Sequence, residues 1–186
     1  MKAKLINNIF KYKAYILILI ISIIISIPMF LPKFSMQYDD GVQHICRLIG
    51  TTQSIEDGQL FPVIMSNFCN NFGYSWNLFY SPITAYLPLI FKIFNISFTM
   101  CLKIFVFLVN IATGLAMYYY MKKITKNELI AILASALYMF VPYRLNDMYL
   151  RLAIPELTSF IFIPIVFGGL YEIIKEKGKI TWLIVR

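Results

Sequence analysis

The stretch Ala14–Leu31, AYILILIISIIISIPMFL, decides the fold because it contains no charged side chain over 18 residues. A helix needs about 20 apolar residues to span a bilayer. A cleaved signal peptide would have a shorter apolar core and a small-x-small cleavage site, and the end of this run offers no such site. We therefore predict an uncleaved transmembrane helix over 14–31.

Composition and charge extend this interpretation to the whole chain. Hydrophobic residues make up 60% and charged residues 14% of its 186 residues, whereas a soluble domain is about 45–50% apolar and about 25% charged. The net charge is +8, and most lysines fall into three clusters between apolar runs: Lys2, Lys4, Lys11 and Lys13; Lys122, Lys123 and Lys126; Lys175, Lys177 and Lys179. Such clusters mark the cytoplasmic side of a membrane protein. The charge therefore predicts a cytoplasmic N-terminus and no nucleic-acid partner.

The order of apolar and polar segments predicts one all-α integral membrane domain over 1–186. Its predicted segments are a basic N-terminus over 1–13, transmembrane helices over 14–31, 98–121, 128–142 and 157–174, and a short or re-entrant helix over 82–96. The segments 32–81 and 143–156 are predicted to be extracytoplasmic loops, the first with surface helices of its own. Both later lysine clusters lie in the cytoplasm only if 82–96 does not fully span. The run 180–186 has the composition of a further helix, which predicts a truncated N-terminal fragment of a longer protein.

The first predicted loop contains a charged stripe on a helix. Apolar residues recur at helical spacing from Val42 to Ile55, which predicts a helix over 40–56 that ends at Asp57-Gly58. Asp40, His44 and Arg47 share one face of that helix. A carboxylate there can act as general base, and an imidazole and a guanidinium can hold a phosphate. The alternative is that Asp39 and Asp40 only cap the helix.

The second predicted loop carries a similar set of charges. Arg144, Asp147 and Arg151 stand at helical spacing, and Glu156 follows five residues after the last of them. Basic residues beside tyrosines such as Tyr143 suit an anionic headgroup. The alternative is an Asp147–Arg151 helix pair, worth only a few tenths of a kcal/mol.

Aromatic residues crowd the end of the first loop, between Gly73 and Pro82. Trp76 and Tyr80 in this segment fit an interfacial aromatic belt, and a sugar-stacking platform is the second interpretation. Cys46 and Cys69 could form a disulfide outside the membrane, or could be small apolar residues. The single histidine of the chain excludes a multi-histidine metal site.

Several of these motifs together resemble a known family. They are Asp40-x-x-x-His44-x-x-Arg47, Gly58 with Pro62, Gly73 with Tyr80-x-Pro82, and Val141-Pro142-Tyr143-Arg144-Leu145-Asn146-Asp147-Met148-Tyr149-Leu150-Arg151 followed by Pro155-Glu156 and Ile163-Pro164. Their order and spacing, over about residues 14–175, resemble the bacterial membrane family labelled "6-pyruvoyl-tetrahydropterin synthase-related", which is YfhO-like and belongs to the GT-C glycosyltransferase superfamily. We expect no pterin chemistry, because a pterin synthase is a soluble enzyme with several histidine zinc ligands.

The resemblance implies a GT-C-like N-terminal helical bundle with a helical first extracytoplasmic loop. It also implies sugar transfer from a polyprenyl-phosphate donor on the outer face of a bacterial cytoplasmic membrane. Asp40, beside Asp39, matches the catalytic first-loop acid, and His44 and Arg47 match the positions that follow it. Asp147 and Glu156 match acidic positions of the second loop. The resemblance leaves open whether a divalent metal takes part.

Two functions other than sugar transfer remain open at the level of sequence. If Arg47, Arg144 and Arg151 hold the donor phosphate during turnover, the chain is a transferase. A non-catalytic lipid- or glycan-binding scaffold of the same fold would use the same residues without turnover. A transporter fits less well, because the charged residues lie outside the predicted spans.

Overall fold

The computed structural model describes residues 2–36 and 39–175, with side chains from Tyr12 onward. Every regular element in this part of the chain is helical. The elements are α1 (Lys2–Phe30), α2 (Asp40–Glu56), α3 (Trp76–Phe79), α4 (Ile83–Leu89) with a 3₁₀ helix (Ile90–Phe94), α5 (Phe98–Thr125), α6 (Glu128–Met139), α7 (Pro142–Asn146), a π-helical turn (Asp147–Arg151), α8 (Ile154–Ser159) and α9 (Phe162–Lys175). The prediction of an all-α chain is confirmed.

Three helical stretches are long and apolar enough to cross a membrane: Tyr12–Phe30, Phe98–Thr125 and Ile154–Lys175. They contain the predicted spans 98–121 and 157–174, and all of the predicted span 14–31 except Leu31. Helix α1 begins at Lys2, so the basic N-terminal segment is also helical over its described residues. The orientation of these helices in a membrane stays a prediction from the lysine clusters. The predicted helix start over 180–186 lies outside the described residues.

The structure corrects the predictions for 128–142 and 143–156. Helix α6 ends at Met139, and a new helix begins at Pro142. The residue before a proline is disfavoured in the helical conformation, which explains the break. Neither Glu128–Met139 nor Pro142–Arg151 qualifies alone as a membrane span. Together they are long and apolar enough to form one broken span or a re-entrant loop. The segment 143–156, predicted to be an extracytoplasmic loop, is largely helical, and its side of the membrane stays a prediction.

The segment predicted as a short or re-entrant helix over 82–96 is the apolar helix Ile83–Phe94. At about 1.5 Å per residue its 12 residues would extend only about 18 Å, well short of the roughly 30 Å hydrocarbon core of a bilayer. Its second half is a 3₁₀ helix that ends at Phe94, and the next residue, Asn95, has a left-handed conformation with φ 55°.

The described residues form two compact units, and the first comprises those within 1–27, 109–142 and 158–186. Its apolar core contains Ala14, Ile18, Tyr118 and Ala131. Several buried polar groups in this unit are hydrogen-bonded, as burial without water favours. Asn110 donates to the Ser26 hydroxyl at 2.8 Å, and Ser135 donates to the Gly114 carbonyl at 2.6 Å.

The second unit comprises the described residues within 28–108 and 143–157. It contains α2, α4 and the π-helical turn, and therefore all the residues that the sequence selects for chemistry. Helix α2 is packed on the segment around Met65, since a Cβ atom on Gly50 would lie 2.8 Å from the Met65 sulfur and 2.2 Å from the Phe68 ring. This close packing fixes the helix that carries Asp40, His44 and Arg47.

Candidate functional site

Helix α2 begins where the sequence predicts it and presents two acids at its N-terminus. It runs over Asp40–Glu56, with Asp39 as the residue before its first turn. Asp39 has a φ of 43° and makes no side-chain capping hydrogen bond, so it does not cap the helix in the usual way. Asp40 is half-buried in the first turn, where the helix dipole favours a negative charge.

The N-terminus of α2 contacts the segment that carries the second group of charges. A Cβ atom on Gly41 would lie 2.2 Å from the Met36 carbonyl oxygen and 2.5 Å from Cδ1 of Leu152. Only glycine allows so close an approach at this position. Because Leu152 directly follows Arg151, this contact brings the Asp40 turn beside the second cluster.

His44 and Arg47 point into the protein. Arg47 is 1% exposed, and its guanidinium donates to the Ser81 carbonyl at 3.2 Å and to the Thr84 hydroxyl at 3.3 Å. Its central carbon lies 5.2 Å from the centre of the Tyr80 ring, and the His44 ring meets that ring edge to face at 6.1 Å. These contacts join α2 to the start of α4. Binding of a phosphate by His44 and Arg47 stays a prediction, and their burial gives both residues a packing role.

Burial lowers the pKa of both residues. His44 is 4% exposed, and desolvation, with a smaller contribution from the Arg47 charge, lowers its pKa from 6.5 to about 4. Desolvation also lowers the pKa of Arg47, with Tyr80 acting in the opposite direction. His44 is therefore a neutral imidazole at pH 7. Its Nε2 atom makes no hydrogen bond within the described part of the chain.

The second cluster is built around Arg151. Its guanidinium donates to Asp147 at 2.8 Å and to Glu156 at 2.9 Å, and contacts the Tyr143 hydroxyl at 3.3 Å. The Tyr143 hydroxyl also donates to Glu156. The predicted Asp147–Arg151 pair is thus present, but it belongs to a four-residue network that also includes Glu156. Asp147 is fully buried, and its Oδ2 atom has no hydrogen-bond partner among the described residues.

Arg144 was predicted to hold a phosphate together with Arg151, but the two arginines differ in access. Arg144 is fully buried, whereas the Arg151 side chain is 39% exposed. The π-helical turn between them places Asp147 and Arg151 in contact. Of these two cations, Arg151 is the one that a ligand can reach.

A cavity of about 400 Å³ lies beside these elements in the second unit. Its lining residues are Lys33, Phe34, Ser35, Tyr149 and Leu150. The rings of Phe34 and Tyr149 meet edge to face at 6.3 Å, and the Lys103 ammonium lies 5.6 Å from the centre of the Phe34 ring. The cavity thus has mainly apolar walls with one exposed ammonium, from Lys33.

Sequence reasoning missed Lys33 as a candidate site residue. It is the first lysine or arginine after the apolar run 14–31 and precedes Asp40 by seven residues. The sequence feature that could have identified it is its position as a lone cation between the predicted span 14–31 and the acidic pair Asp39-Asp40. A lone lysine at the end of a transmembrane helix has an ordinary interfacial explanation, and only the cavity distinguishes this one.

The remaining predicted residues take packing positions. Trp76 meets Phe68 and Tyr74 edge to face, each at 4.9 Å, and Tyr80 lies against His44 and Arg47. Cys46, Cys69 and Cys101 are all free thiols, so the possible disulfide is absent. Within residues 2–36 and 39–175, no three His, Cys, Asp or Glu side chains are grouped as metal ligands.

Comparison with known proteins gives one relative of unassigned role. The chain is similar, at 24% identity over 180 residues, to a protein of Lactococcus lactis subsp. cremoris (strain MG1363) described as uncharacterized. The match covers 95% of this chain and 29% of that protein, so the chain spans less than a third of its relative's length. No protein-family model matches the chain, and no solved structure matches it.

Proposed function

We propose that the chain is part of a GT-C-type membrane glycosyltransferase, similar to the YfhO-like family, which transfers a sugar from a polyprenyl-phosphate donor on the outer face of the membrane. The observation that carries the proposal is the contact of Gly41 with Leu152. It brings the first turn of α2, which carries the half-buried Asp40, against the residue that follows Arg151, and the cavity belongs to the same unit.

In the proposed reaction Asp40 is the general base. It accepts the proton of an acceptor hydroxyl as that oxygen attacks the anomeric carbon of the donor sugar. The bond from the anomeric carbon to the phosphate oxygen breaks, and the polyprenyl phosphate leaves with the electron pair. Protonated Asp40 then returns its proton to water, so that the site is restored.

The donor phosphate is assigned to the accessible cations. Lys33 lines the cavity, and the Arg151 side chain is 39% exposed. His44, Arg47 and Arg144 are buried in the protein, so they support the site by packing. Charge-assisted hydrogen bonds from an ammonium and a guanidinium stabilise a phosphate leaving group more strongly than neutral donors do.

The test is transfer from a radiolabelled polyprenyl-phosphate sugar by the full-length protein in membranes. We expect Asp40→Asn to abolish transfer while membrane insertion and expression remain normal. Asp57→Asn is the matched control, because Asp57 is an exposed acid at the opposite end of α2. Transfer by Asp40→Asn at the rate of the Asp57→Asn control would refute the role of Asp40 as base.

The second candidate is a non-catalytic lipid- or glycan-binding scaffold. One observation favours it: Arg151 is already neutralised by two carboxylates, so it meets a phosphate only if these contacts rearrange. Binding of polyprenyl phosphate to the wild-type protein without turnover of any sugar-linked form would support the scaffold. Measurable turnover would exclude it.

A further inference from the structure

We infer that residues 58–80, here called the apolar loop, insert into the surface of a lipid bilayer. Seven of its large apolar side chains are more than half exposed: Leu60, Phe61, Val63, Ile64, Phe72, Leu78 and Phe79. Phe72, at 90%, is almost fully accessible. A soluble protein rarely presents so many apolar side chains together without a partner for them.

The charge pattern identifies lipid as the partner. From Gly58 to Phe91 the chain has no Asp, Glu, Lys, Arg or His over 34 residues. A docking surface for another protein normally has a polar rim that includes charged residues. This stretch instead combines aromatic, aliphatic and uncharged polar residues, which is the composition of the interface between headgroups and acyl chains.

Several polar backbone groups of the apolar loop form hydrogen bonds within the protein, so they do not depend on water. Met65 and Tyr74 exchange two backbone hydrogen bonds, of 2.9 and 3.1 Å, and the Gly73 amide donates to the Phe68 carbonyl at 3.0 Å. Two further carbonyls accept hydrogen bonds from side chains. Asn77 donates to the Pro62 carbonyl at 2.8 Å, and Tyr86 donates to the Leu60 carbonyl at 2.6 Å. Internal pairing of this kind is required where lipid replaces water.

The elements that follow keep the apolar loop near a membrane. The helix Ile83–Phe94 is apolar but too short to span, and its residues Ile93 and Phe94 are also exposed. After three more residues, α5 begins at Phe98 as a candidate span. The apolar loop and this helix together therefore form a monotopic element that lies in one leaflet beside a span.

Tryptophan quenching in the 186-residue chain tests the inference. Trp76 and Trp182 are the only tryptophans in the sequence, and both are changed to Phe. Phe72→Trp is then introduced as a reporter, and the protein is reconstituted into phosphatidylcholine vesicles. We expect lipids brominated in their acyl chains to reduce its emission roughly twofold or more, because an interfacial side chain lies about 5–10 Å into the headgroup–acyl boundary. Aqueous iodide should have little effect.

The matched control is Glu56→Trp in the same background, at the exposed end of α2. Iodide should quench this reporter, and brominated lipid should not. If iodide quenches Phe72→Trp as strongly as Glu56→Trp, the apolar loop is in water and the inference is overturned. If neither quencher reaches Phe72→Trp, protein covers the loop, and the inference is equally overturned. Phe79→Trp, at another exposed position, repeats the test if Phe72→Trp does not fold.

Discussion

The buried imidazole of His44 should make the stability of the protein depend on pH in a defined window. In the folded state its pKa is about 4, against 6.5 for an exposed histidine. As the pH falls below about 6.5, the unfolded chain takes up a proton that the folded chain does not. The stabilisation is therefore fully present above pH 6.5 and is lost progressively towards pH 4. One pKa unit corresponds to about 1.4 kcal/mol, so the loss is roughly 3 kcal/mol in total.

The measurement is an unfolding titration in mixed detergent micelles, followed by tryptophan fluorescence between pH 4 and pH 8. The variant His44→Gln cannot titrate, so its free energy of unfolding should fall less steeply below pH 6.5 than that of the wild type. The double variant His44→Gln/Gln43→His is the matched control, because it keeps a histidine in α2 but at an exposed position. It should behave as His44→Gln does.

The difference in free energy of unfolding between the wild type and His44→Gln gives the contribution of His44, because the carboxylates that also titrate in this window are common to both proteins. The charged and polar neighbours of the imidazole are Arg47 on its own helix and Tyr80 from the segment before α4. Parallel curves for wild type and His44→Gln in this window would refute the burial argument.

Two further predictions concern packing and charge. Gly41→Ala should destabilise the protein by about 1–3 kcal/mol, because the new methyl group would lie 2.2 Å from the Met36 carbonyl oxygen. The control is Gly169→Ala, whose new methyl group would have no atom within 4 Å. This variant should be neutral or stabilising by up to about 1 kcal/mol. Thermal unfolding midpoints in detergent check this pair, and equal shifts for both variants would contradict the close approach. Lys123→Ala should cost about 1–3 kcal/mol, because the buried Glu172 carboxylate loses the half-exposed ammonium that pairs with it. Its neighbour Lys122, which donates to Tyr118, provides the comparison, and the argument fails if Lys122→Ala is as destabilising as Lys123→Ala.

The sequence predicted the long helices well because their signals are local. The limits of α2, Asp40–Glu56, follow from apolar spacing and from a stop at Asp57-Gly58. The candidate spans follow from uninterrupted apolar runs. The break after Met139 was missed because Leu137, Tyr138, Phe140 and Val141 continue the apolar pattern, although Pro142 was a local sign that the helix ends there.

The candidate site was predictable only in part, because burial is a tertiary property. Helical spacing correctly paired Asp147 with Arg151. It could not distinguish the accessible Arg151 from the buried Arg144, since both lie on the same predicted stripe. For the same reason, His44 and Arg47 could be placed on one face of α2, but not assigned to the face that packs against Thr84. The assignment of any of them to sugar transfer stays a proposal.

The π-helical turn makes the network around Arg151 sensitive to chain length as well as to residue type. Such a turn closes over one residue more than an α-helical turn does. Loss of a single residue between Asp147 and Arg151 would rotate the guanidinium by about 100° around the helix axis, away from one of its two carboxylates. Insertions and deletions at this point are therefore as consequential as substitutions. A related chain that preserves every charge but differs by one residue in this interval would not preserve the network.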